Sequence, residues 1–262
     1  MLVNHAARDP SPDTWLTNWL RESQTAPTQD GPAAFETCVA AIRHSGIFQA
    51  WDLDGHTLLF HAASKGNMAL AQALIDLGAE VDLCDPLGWT PLHEAVRAHQ
   101  KDMVELLIRS GTAVHATVQD TSPFSQRSYA PVTDGEGSVP AINALHIAVG
   151  IGPNQDHFSP DIVRLLLENE VDPGGKATNL ADPREYGVER DASPLQIMFR
   201  KWGASKSADF FAVVQLLVDF GADVRGIAER LDVWDVSAFE GFESLWDVFR
   251  TADDEIDTLG VD

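Results

Sequence analysis

The apolar residues fall into short clusters at helical rather than strand spacing, as in Val104, Leu107 and Ile108. Turns rich in Gly, Asp and Pro separate the clusters, so the chain reads as a series of short helices. The pattern then repeats at a shift of 33 residues. Gly55, Thr57, Leu59 and Ala62 fall on Gly88, Thr90, Leu92 and Ala95. Further along, Leu74, Ile75, Gly78 and Val81 fall on Leu107, Ile108, Gly111 and Val114, and Asp52 pairs with Asp85 in the preceding turn. Each unit predicts a turn, a short helix, a tight turn and a second helix. Such a pair is too small to bury its apolar face alone, so neighbours must stack.

Two further copies follow. Residues 143–148 open the third and 161–169 supply its second helix; residues 193–197 open the fourth and 213–223 close it. Thr57, Thr90, Asn143 and Ser193 stand where a side-chain oxygen can accept a helix's first backbone N–H groups. Pro91 and Pro194 follow directly, where a missing N–H costs nothing. Gly78, Gly111 and Gly221 stand after second helices, where a left-handed conformation suits glycine. Glu170 occupies that place in copy three, which predicts a distorted helix end.

These units resemble the ankyrin repeat, most clearly at Thr90, Pro91, Leu92, His93 and Ala95. The resemblance covers about residues 52–224. It implies an all-α chain, an ankyrin-repeat solenoid of about four helix-turn-helix repeats with terminal capping helices and long loop insertions in the later repeats. Residues 1–32 are expected to hold a short amphipathic helix (Trp15, Leu16, Trp19, Leu20) and a linker, and 33–51 an N-terminal cap or degenerate repeat with a helix over 35–43. Residues 225–251 read as a C-terminal helical cap, with Phe242, Leu245, Trp246 and Phe249 on one face, and 252–262 as an acidic tail.

The later copies break the period. Thr90 and Asn143 lie 53 residues apart, 20 more than the repeat, and the excess falls in the turn region at about 116–139. Copy three gains 6 residues between its helices, around 153–160; the next turn region gains 11, at about 174–191; copy four gains 7 between its helices. Long loops in compact domains are usually functional or disordered. The two turn insertions read either as a partner-specific ledge or lid, or as tolerated surface loops.

Composition narrows the function. Of 262 residues, 40 are acidic and 18 basic, a net charge of −22, which excludes the basic face that nucleic acid requires and disfavours an anionic membrane. At 44% apolar content the chain can still bury a core. Two cysteines, Cys38 and Cys84, cannot build a disulfide framework or a cysteine-only zinc site. No secretory signal or membrane span is recognisable, and an intracellular protein, cytoplasmic or nuclear, is expected.

The histidines and carboxylates are the side chains that could carry chemistry. The densest cluster is Asp52, Asp54 and His56. Asp52 and Gly55 are explained as turn residues, because Asp85 and Gly88 recur at the same places. Asp54 and His56 alone supply too few ligands, so no metal and no cofactor is expected. His93 and His146 stand at the repeat's histidine position, where the resemblance implies hydrogen bonds within the framework; Phe60 and Gln196 replace them in the other copies. Phosphate-loop, zinc-protease and nucleophile-elbow motifs are lacking, and no catalytic residue is assigned.

The expected function is a non-enzymatic protein-protein interaction module, an ankyrin-repeat scaffold or adaptor. By the resemblance, its concave face and turn loops carry Leu53, Asp54, His56, Ser64 and Lys65 in copy one and Pro86, Leu87, Trp89, Arg97 and Ala98 in copy two. Gly150, Ile151, Arg200 and Lys201 extend that face in copies three and four. Trp89 reads either as an aromatic anchor or as a packing residue. Alternatives are a small-molecule-binding or catalytic protein with a pocket built from the insertions, and an acidic inhibitor of immunity type acting on a basic partner.

Overall fold

The computed structural model describes residues 39–44, 46, 49, 51–52, 55–118, 142–150, 159–177, 192–202 and 207–224, with residues 200–202 described by backbone only. The expected N-terminal helix and linker, most of the insertions, the C-terminal cap and the acidic tail lie outside the described residues. The chain divides into two compact units, Met1–Thr117 and Val118–Asp262.

The first unit holds α1 (Leu58–Lys65), α2 (Met68–Asp76), α3 (Pro91–Arg97) and α4 (Lys101–Arg109). Helices of seven to nine residues are too short to persist alone in water, so packing must hold them. Within each copy the two helices pack on each other; between copies α1 packs on α3 and α2 on α4. The core is Leu58, Leu59, Leu70 and Leu74 from copy one with Leu92, Val96, Val104 and Leu107 from copy two. Residues 39–44 are helical, inside the segment expected to carry the first cap helix, and bury Val39 and Ile42.

The second unit repeats this plan with α5 (Ala144–Ala148), α6 (Pro160–Glu168), α7 (Pro194–Trp202) and α8 (Ala208–Asp219). Here α5 packs on α6 and α7, and α8 on α6 and α7. Leu145, Ile147, Val163, Leu166, Leu195, Met198, Phe210 and Val214 are buried. Two-residue strands β1 (Thr117–Val118) and β2 (Ile142–Asn143) pair across the 20-residue insertion, and Ala177 bridges Ala192 across the next. Both insertions therefore leave and re-enter the framework at one point, which is why the repeat tolerates them. In copy four the extra length between helices is partly absorbed by α8, which has 12 residues where α2 and α4 have 9.

All four expected N-caps form. Thr57 Oγ1 accepts from the Phe60 amide at 3.2 Å, Thr90 Oγ1 from His93 at 3.4 Å, Asn143 Oδ1 from His146 at 3.2 Å and Ser193 Oγ from Gln196 at 3.3 Å. The expected distortion at Glu170 does not occur. Glu170 adopts φ +66°, and its amide and that of Val171 bond Leu167 O and Leu166 O at 3.1 and 3.2 Å. Gly78 and Ala79 make the same two bonds to Ile75 O and Leu74 O, with φ +91° at Gly78. The backbone geometry is kept and the cost is carried as left-handed strain at a residue with a Cβ. His99, at φ +55°, bears the same strain where copy one has Gly66 at +65°.

Candidate functional site

The turns before α1 and α3 share one backbone design. In copy one the Asp52 amide bonds His56 O at 2.9 Å and the Gly55 amide bonds Asp52 O at 3.1 Å. In copy two Asp85 bonds Trp89 O at 2.9 Å and Gly88 bonds Asp85 O at 2.9 Å. One carboxylate oxygen then fastens each turn from inside. Asp52 Oδ1 accepts from the His56 amide at 2.9 Å; Asp85 Oδ1 accepts from Leu87 and Trp89 at 2.9 and 2.8 Å. The glycines follow from this geometry: Gly55 and Gly88 lie at φ +79° and +86°, and a Cβ on Gly55 would stand 2.6 Å from Pro86 Cδ.

The second oxygens face different chemistry. Asp52 Oδ2 lies 2.8 Å from His61 Nε2 and 3.9 Å from His56 Nδ1, while Asp85 Oδ2 lies 3.6 Å from His56 Nε2. The side chains of Asp52 and Asp85 are 2% and 7% exposed, His61 10% and His56 25%. The His56 ring stacks flat on Phe60, with centroids 4.1 Å apart. At the equivalent places copy two has Trp89, His93 and Glu94. Trp89 meets His93 edge to face at 6.0 Å, and Glu94 forms a two-point pair with Arg97, one of its bonds 2.8 Å long.

His93 is a framework residue, as the resemblance implied. Its Nδ1 accepts from the Thr90 amide at 3.2 Å, leaving the Nε2–H to donate to Ala116 O at 3.0 Å. His146 repeats this with the Asn143 amide at 3.3 Å and Gly175 O at 3.0 Å. Each imidazole ties a helix start to the next turn region. Burial pushes both down to about 4, against their carbonyl bonds and the nearby Asp85 and Asp172. Gln196 supplies the first half of this arrangement in copy four, its Oε1 accepting from Ser193 at 3.0 Å.

The expected binding residues divide. Lys65 and Pro86 are exposed, and His56, Ser64, Leu87, Arg97 and Ala98 are half-buried. Trp89 is only 4% exposed, so packing rather than anchoring describes it. Gly150 is buried. Arg97 is held charged by its Glu94 bond and is not a bare positive patch. Arg200 and Lys201 lie on α7, and Leu53, Asp54 and Ile151 lie outside the described residues. Sequence reasoning missed three residues here. His61 and Asp85 join the His56 cluster, although His61 stands only five residues beyond His56. Trp51 is 46% exposed beside the first turn, and the 33-residue shift that pairs it with exposed Cys84 marks that position as outward-facing.

Residues 33–120 match the family model for ankyrin repeats (3 copies). The chain is 43% identical over 68 residues to mouse 2-5A-dependent ribonuclease, covering 25% of this chain and 9% of that protein. It is 29% identical over 143 residues to human Rabankyrin-5, covering 54% and 12%. It is 32% identical over 183 residues to the mouse B-cell lymphoma 3 protein homolog, covering 62% and 40%. The chain thus spans less than half the length of each of these relatives. Among the described residues no helix is long and apolar enough to cross a membrane. The 33-residue period, the capped helix pairs, the histidine ties and the family match over residues 33–120 agree: the chain carries ankyrin repeats.

Proposed function

We propose that this chain is a non-enzymatic interaction module that binds another protein through its turns and the ends of its first helices. One observation carries the reading. In the first unit two successive turns are fastened by internal amide-to-carboxylate bonds, while Trp51 and Pro86 stand exposed at those turns and Lys65 stands exposed at the end of α1. A surface formed before contact lowers the ordering cost of association, and an exposed tryptophan is the side chain most often found to anchor an interface. The repeat family of the chain supports the same reading, since ankyrin repeats serve protein interaction.

Affinity capture from the source proteome tests it. The full chain is compared with a variant carrying Trp51→Ala, Lys65→Ala and Pro86→Ala and with a control carrying Gln72→Ala and Asp102→Ala on the second helices. The reading predicts one specific protein, retained by the control and weakened by about 100-fold or more in the first variant, as loss of a central anchor gives. Equal retention by all three, or no specific protein, contradicts it.

A further inference from the structure

We propose that Asp52, His56 and His61 form a binding site for a divalent transition-metal ion of the Zn²⁺ class, with Asp85 behind His56 as its supporting carboxylate. One donor atom from each of the three residues lies within 4.8 Å of the others. Tetrahedral zinc bonds of about 2.0–2.2 Å place donors roughly 3.3–3.6 Å apart, and the Asp52–His61 and Asp52–His56 distances of 2.8 and 3.9 Å bracket that spacing. Small side-chain rotations therefore complete the set.

The donor chemistry selects the ion. Two imidazoles and a carboxylate suit zinc and its neighbours, whereas calcium and magnesium take oxygen ligands. Asp85 Oδ2 faces the His56 nitrogen opposite the one turned to Asp52, the place from which a carboxylate orients a metal-bound imidazole and raises its basicity. Two carboxylates buried this deeply are stabilised by a dication. The exposed part of His56 leaves room for water to fill a fourth position.

An independent observation separates this cluster from turn architecture. Copy two builds the same turn with Trp89 and Glu94 where copy one has His56 and His61. The His56, Leu87 and Trp89 amides bond Oδ1 oxygens, and copy two closes its turn with neither histidine, so the backbone does not require them.

The test uses the full chain after removal of metal by a chelator. Zn²⁺ binding is followed by calorimetry and Co²⁺ binding by its visible absorption. One saturable site is expected, with four- or five-coordinate cobalt bands and with proton release seen as a buffer-dependent heat. His61→Ala is expected to weaken binding by at least about 100-fold and Asp85→Asn by about 10- to 100-fold. A double variant, His56→Trp with His61→Glu, carries the residues copy two already uses in this turn; it is expected to fold and to lose the cobalt spectrum. His115→Ala, at an exposed histidine, is expected to bind as the parent does. Absence of saturable binding at millimolar Zn²⁺, equal affinity in the His61 variant, or displacement by excess Mg²⁺ overturns the proposal.

Discussion

Copies one and two set the same turn backbone against different side chains. Asp52 and Asp85 each spend one carboxylate oxygen fastening amides, and each turn ends in a threonine-capped helix. Beyond that they diverge. Copy one gathers His56 and His61 around Asp52, and copy two buries Trp89 against His93 and pairs Glu94 with Arg97. The comparison teaches that the repeat claims few atoms. The residues it leaves unclaimed can take on binding chemistry in one copy and packing in the next.

The largest effect that can break this comparison is acid unfolding. Copy two depends on a neutral buried His93, and His146 plays the same part in the second unit. Both titrate near 6.5 when unfolded and at about 4 when folded, so the unfolded chain takes up protons first. Their contribution is complete above pH 6.5 and is lost as pH falls toward 4, by up to about 3 kcal/mol each. Urea unfolding across that window checks this, and His93→Phe, which borrows Phe60 from copy one, should flatten the fall. An unchanged slope would show that the imidazole is not held neutral.

Next is Asp85→Ala, which leaves the Leu87 and Trp89 amides without their acceptor. It should cost about 2–4 kcal/mol by denaturant unfolding, whereas Asp85→Asn, which keeps an oxygen there, should cost about 1 kcal/mol or less. Equal losses in the two variants would mean that charge, not the turn bond, matters. Glu170→Gly should then stabilise the chain by about 1 kcal/mol, since glycine adopts its left-handed geometry without strain. A loss of stability there would show that the glutamate contributes more than its strain costs. The smallest expected change is Arg97→Ala, at about 1 kcal/mol or less, because its pair with Glu94 is only partly buried.

The sequence made the framework legible because period, cap and proline each reflect a local backbone need. Thr57, Thr90, Asn143 and Ser193 were read as caps and act as caps. Glu170 was misread because residue type reports only preference: its amide and that of Val171 close the helix end as Gly78 and Ala79 do, at a positive φ. The site was read less well. Explaining Asp52 and Asp85 as turn residues accounted for one oxygen of each and hid the other. His61 was overlooked because its approach to Asp52 depends on how the turn folds back on α1, a contact across nine residues that no helical spacing marks.

Residue-resolved amide exchange on the full chain, with and without Zn²⁺, tests the shared backbone and the divided chemistry together. The account predicts that without metal the His56, Leu87 and Trp89 amides are all protected by their aspartates, and that Zn²⁺ slows exchange from Asp52 to His61 while leaving Leu87 and Trp89 little changed. Unprotected amides in the metal-free chain, or equal slowing of both turns by Zn²⁺, would contradict it.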